Sequence, residues 1–190
     1  MRLRTILLFL IGLCAFGTAA TAQQPQRMAN TLPEWWLAHV DFISRDGGTW
    51  RAPNPAGAND PNVPDAFGME WRMANDRHVL IGRLYTIEGD RETEMWNFRE
   101  FYHPGERRVI IEQWGGPGVY GRGETTAPAA NRGQVEMTLW LPDGRDWREG
   151  HRNEENGDEY VTAAFDIGAD GQWTPSGRYV WTRVRRGAAG

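Results

Sequence analysis

The chain has 190 residues and a formal net charge of −4 at pH 7, with no lysine and a single cysteine, Cys14. These absences exclude Schiff-base catalysis, a phosphate-binding P-loop lysine and a disulfide within the chain. The acidic balance argues against nucleic-acid binding, which rests on neutralising phosphates.

In chain order, residues 1–22 read as a signal peptide. Arg2 and Arg4 precede an apolar run from Ile6 to about Phe16, and Ala20-Thr21-Ala22 supplies a small-x-small cleavage site. The run is shorter than the roughly 20 residues a membrane span needs. Leu13 stands before Cys14, where a lipoprotein signal wants a small residue. The expectation is a mature chain from about Gln23, periplasmic or secreted, with no stable membrane span after cleavage. Removing Arg2 and Arg4 from the 21 basic residues leaves 19 against 25 acidic, a formal −6. That length suits one domain.

Residues 23–30 are polar and read as a flexible N-terminus, and 31–187 as the folded domain. Thr31 and Glu34 have capping-box spacing, and Pro33 falls in the first turn. Trp36, Leu37, Val40 and Ile43 then recur at helical spacing, and Gly47 or Gly48 ends the helix. His39 reads as a packing residue on this helix.

Beyond Gly48 the helical period disappears. Gly, Pro, Asn and Asp clusters punctuate short runs rich in aromatic and β-branched residues. The runs are 49–52, 68–74, 77–88, 91–102, 107–114, 118–125, 133–141, 145–152, 159–167 and 177–185. The fold class is therefore all-β, a roughly ten-stranded antiparallel meander with one N-terminal helix. Closure into a barrel removes the long edges such a meander would expose. Gly115–Gly123 holds five glycines and no helix follows it, so it reads as a barrel corner and not a phosphate loop.

Side chains alternate across a strand. Met69, Trp71 and Met73 alternate with Glu70 and Arg72 and form an inward set. Val135, Met137, Leu139 and Leu141 form another, so that Trp140 either falls on the outer face or marks a strand with both faces covered. Tyr179, Trp181 and Arg183 share a face. Residues 91–102 leave both faces open, because Trp96 and Phe98 sit with Glu94 and Glu100. The chain has 10 tryptophans, enough to fill a barrel or to line a pocket for a flat apolar ligand. Met69, Trp71, Met73, Trp96, Trp114, Tyr120 and Met137 are the candidate ligand-binding residues.

Gly48-Thr49-Trp50, after a short helix and before a meander, resembles the lipocalin-like (calycin) barrels. The resemblance implies that Trp50 packs across the closed end and that Arg183, in "YVWTRV", lies against it. These two are structural candidates. The stretches "HPGERRVIIEQWGGPGVYGRGE", "DGRDWREGHR" and "DGQWTPSGRYVWTR" are similar to exported bacterial lipocalin-like proteins of unknown function. The chain is also similar to ten-stranded haem barrels of the nitrobindin type. Those carry an axial histidine on a late strand, whereas the last histidine here is His151, so no cofactor is expected.

The four histidines form no H-x-H or H-x-x-x-H pair, so no local metal site is written in the sequence. Trp147, Glu149 and His151 share one face of one strand. If that face points inward, Glu149 and His151 form a candidate general-base pair. Three functions remain open. The leading one is a binding barrel for a small apolar or amphipathic molecule, with arginines and tryptophans at its mouth. The second is a barrel enzyme of isomerase, cyclase or hydratase type using His151 and Glu149 with tyrosines such as Tyr120. The third is a carbohydrate-binding surface of exposed tryptophans.

Overall fold

The computed structural model describes residues 32–54, 60 and 63–185. The expected signal peptide (residues 1–22), residues 23–30, Thr31 of the expected capping box and most of the proline-rich segment 53–65 lie outside them. Helix α1 spans Glu34–Ser44 and runs into a 3₁₀ turn at Arg45–Gly47. Ten strands follow: β1 Thr49–Pro53, β2 Ala66–Ala74, β3 Val79–Glu88, β4 Arg91–His103, β5 Arg108–Gly115, β6 Val119–Ala129, β7 Arg132–Trp140, β8 Asp146–Asn156, β9 Glu159–Ile167 and β10 Trp173–Arg183. Each pairs antiparallel with its sequence neighbours, and β10 returns to β1, so the sheet is a closed barrel.

The start of α1 differs from the capping-box expectation. The N-cap position is Pro33, and among the described residues no side chain caps the helix. The Trp36 and Leu37 amides instead donate to the Pro33 carbonyl at 3.0 and 3.2 Å. Trp36, Val40 and Ile43 are fully buried, which holds this short helix by packing in place of a cap. Its C-terminal side ends as expected at glycine. Gly48 has φ +64°, and a Cβ there would lie 2.0 Å from the Trp71 carbonyl oxygen. The Trp71 amide donates to the Gly48 carbonyl at 2.8 Å, so the turn and β2 need a residue with no side chain between them.

The barrel closes through a narrow seam. Only Trp50↔Arg183 and Arg51↔Thr182 are Cα partners between β1 and β10. Trp50 is fully buried, and its indole N–H donates to the Ile43 carbonyl at 2.9 Å. The Arg183 guanidinium lies 4.0 Å from the Trp50 ring centroid and donates to the Arg45 and Phe42 carbonyls, each at 3.0 Å. Cation–π attraction and charge-assisted hydrogen bonds thus join the first strand, the last strand and the end of α1. Burial, followed by the nearby Arg45 charge, pulls the Arg183 pKa below its ordinary value, and Asp158 opposes them.

The apolar core has two parts. One lies under α1 and includes Trp36, Ile43, Trp50, Met69, Leu80, Val109, Tyr160 and Trp181. The other comprises Ile111, Val135, Met137 and Leu139, with Trp96 and Trp147 packed against it. The outer wall carries cross-strand ion pairs. Arg83 meets Glu70 and Glu92, Arg99 meets Glu112, Arg108 meets Glu106 and Glu124, and Arg148 meets Glu136. Such solvated pairs each add little stability.

Replacing Trp50 removes a fully buried ring, the support under Arg183 and the partner of the Ile43 carbonyl. Trp50→Ala is expected to lower the unfolding free energy by about 3–5 kcal/mol in a urea titration. An unchanged midpoint and slope would show that the seam does not depend on it.

Candidate functional site

A cavity of about 360 Å³ lies inside the barrel, bordered by members of both core clusters. One wall is aromatic. Trp71 and Phe98 stack with centroids 5.4 Å apart and planes 18° apart. Trp71 can lie flat because its β3 partner is Gly82, where a Cβ would come within 2.6 Å of the ring. Phe67 meets Tyr179 edge-on at 5.5 Å, and Tyr179 lies 6.0 Å from Trp181. Trp35, from α1, completes this lining.

The other wall is polar. The inward faces of β4, β5, β6 and β8 bring Glu100, Gln113, Thr125, Glu149, His151, Asn153 and Glu155 to the cavity. Glu100, Gln113, Thr125 and Asn153 are all buried. His151 Nε2 lies 2.6 Å from Glu149 Oε1. Burial alone would raise the Glu149 pKa, but the hydrogen bond and charge of His151 outweigh it and hold the carboxyl below its ordinary value.

His39 is placed differently from its sequence reading. It points from α1 into the barrel, with Nδ1 2.7 Å from Glu155 and Nε2 3.4 Å from Glu100. Burial disfavours its charge, but hydrogen bonds and Coulomb attraction from the two carboxylates prevail and raise its pKa to about 10. Tyr160 is buried nearby. Burial and the charges of Glu100 and Glu155 push its hydroxyl well above the ordinary value, so it remains a neutral O–H. The signal for this cluster was absent from local sequence, because its members come from α1, β4 and β8.

Four buried polar atoms on cavity-lining residues have no hydrogen-bond partner: Trp71 Nε1, Trp181 Nε1, Thr125 Oγ1 and Asn153 Oδ1. A buried polar group without a partner costs free energy, and four such atoms belong to residues that line one cavity.

The sequence-predicted residues divide. Met69, Trp71, Trp96, Glu149 and His151 line the cavity. Met137 points inward but is packed in the second core cluster. Met73 is a correction: it keeps the inward parity of β2 but lies at the strand end beside the β2–β3 turn, and is 47% exposed. Trp114 and Tyr120 are corrections too. They face outward as Cα partners on β5 and β6, because Val109, Ile111 and Gln113 take the inward parity of β5. Tyr120 donates to Glu112 and is therefore unavailable to an internal site. Tyr120 stacks on Trp140 at 5.8 Å and 18°, and Trp114 tilts 45° from Tyr120. The three rings pack against one another and do not spread as one open plane. Most arginines with a resolved ion pair also sit on the outer wall, and only Arg132 lines the cavity among the described residues.

Among the described residues, no group of three or more His, Cys, Asp or Glu is arranged to hold a metal ion. No helix among them is long and apolar enough to cross a membrane. No known family model matches the chain, and no curated protein matches it.

The His39 cluster sets a pH dependence. Unfolded histidine titrates near 6.5 and folded His39 near 10. The native state therefore holds one extra proton between these values, and stability falls as pH rises through that window. The contribution is fully present below pH 6.5. Denaturant titrations from pH 6 to 10 should show a falling stability that is flatter in His39→Gln, which is also the less stable protein at pH 6. Parallel curves for the two proteins would remove the cluster from the account.

Proposed function

We propose that this chain is an exported lipocalin-like binding barrel, acting in the periplasm or outside the cell, that holds a small amphipathic molecule in its interior. The observation that carries this reading is an aromatic-lined cavity inside the barrel whose lining also includes Glu100, Gln113, Glu149, His151 and four residues with an unpartnered buried polar atom. Its volume falls within the range of small-molecule sites, and its mixture of a flat apolar wall with a few convergent polar groups is typical of them. The closed meander, the Gly48-Thr49-Trp50 start and the Arg183 stack support the lipocalin-like assignment.

The site can be tested with a neutral naphthylamine dye whose fluorescence rises on burial. Ala164 faces the cavity from β9, and Ala164→Trp fills it. Dye affinity should fall by about tenfold or more, a loss of about 1.4 kcal/mol. Trp114→Ala, on the outer wall, should leave it unchanged. Equal binding by the cavity-filled protein would refute an internal site.

One further observation favours a second reading, an enzyme of isomerase, cyclase or hydratase type. The Glu149–His151 pair lies within hydrogen-bond distance on the cavity wall, an arrangement suited to moving a proton on an enclosed ligand. Incubating a ligand recovered from the protein in deuterated buffer separates the two functions. Catalysis predicts deuterium incorporation or a changed compound, abolished in His151→Gln. Simple binding predicts an unchanged ligand.

A further inference from the structure

The charges of the barrel are sorted by side. The outer wall pairs arginine with glutamate, while the cavity wall carries Glu100, Glu149 and Glu155 with no arginine deeper than the exposed rim residue Arg132. Arg132 itself is paired outside with Glu154 at 3.3 Å. Among the described residues, the internal cations available are the imidazoles of His39 and His151. Three carboxylates against two imidazoles leave the interior formally negative even when both imidazoles are protonated. Protonation of His39 alone leaves it more negative.

Position adds to the count. The carboxylates sit on β4 and β8, and the aromatic rings that share the cavity with them come from β2, β4 and β10. A positively charged group beside them would gain Coulomb attraction from the carboxylates and attraction to the faces of the lining aromatic rings. The same place would reject an anion on the same physics. The two unpartnered indole N–H groups, Trp71 Nε1 and Trp181 Nε1, ask for an acceptor on the aromatic side. Asn153 and the glutamates ask for a donor or a cation on the other.

We infer that the cavity selects an organic cation, an amine or quaternary ammonium group on an apolar or aromatic body that also bears an oxygen acceptor. This rests on the internal-binding reading and specifies its ligand class. Glu149 and Glu155 hold the charged end, and the stacked Trp71 and Phe98 hold the body.

Three probes of one shape decide it: benzyltrimethylammonium, its uncharged isostere neopentylbenzene, and benzylsulfonate. Each is titrated at pH 7.5 against the protein loaded with the neutral naphthylamine dye, and displacement is read. The expected order is cation, then isostere, then sulfonate, with the cation at least about tenfold tighter than the isostere. Glu149→Gln, which leaves the His39 cluster intact, should narrow that gap several-fold without changing the affinity of the isostere. If this variant does not fold, the wild-type order still decides. An isostere or sulfonate that displaces dye as well as the cation overturns the cation preference and leaves the internal site standing. Failure of the dye and all three probes to bind overturns both.

Discussion

The barrel depends on one contact, the packing of Arg183 on Trp50 at the seam where β10 meets β1. Nine strand pairs are built from hairpins or adjacent segments, and chain connectivity brings them together. The tenth pair joins the two ends of the sheet and has only two Cα partners to hold it. A ring closed so narrowly needs side-chain support. The buried guanidinium supplies it by bonding two carbonyls at the end of α1 while covering the indole. The positive charge is tolerated there because carbonyl oxygens, the ring face and Asp158 replace water. The helix is thereby fixed across the same end of the barrel, which places Trp35 and His39 over the cavity.

From that placement the interior acquires its two-sided character. Aromatic rings lie flat where the opposite strand has no side chain, as Trp71 does on Gly82. Polar groups cluster where β4 and β8 turn their inward faces toward α1. His39 ties the polar wall to the helix through Glu100 and Glu155. On the proposed binding reading, ligand affinity and stability are linked at this histidine. A ligand cation placed beside Glu155 competes with the contact that holds α1 down.

The architecture was legible in the sequence because turns and period-2 alternation are local properties. The β9 bounds matched at both ends, the inward direction of Val135, Met137 and Leu139 followed from parity, and parity put Tyr179, Trp181 and Arg183 on a shared face without saying which way it points. What failed was of two kinds. Parity gives the face of a residue but not how far along the barrel it lies, so Met73 was expected inside and is exposed. Parity is also masked where consecutive residues are apolar. Val109, Ile110 and Ile111 in β5 are all buried, two inward and one outward, which hid the outward direction of Trp114 and its partner Tyr120. The glutamates of the cavity were the harder case. A carboxylate on an apolar face reads as a break in the pattern until its partner is known, and the partner of Glu100 and Glu155 is a histidine on a distant helix.

The sorting of arginine and glutamate on the outer wall has a chemical consequence. With no lysine in the chain, the wall presents guanidinium groups that remain protonated and nucleophilically inert at neutral pH. Acyl donors and reducing sugars, which modify exposed primary amines, find no side-chain amine to attack. Amine-directed dyes and crosslinkers would likewise find no side chain on the barrel to mark, so amine-directed labelling of this surface requires an introduced lysine.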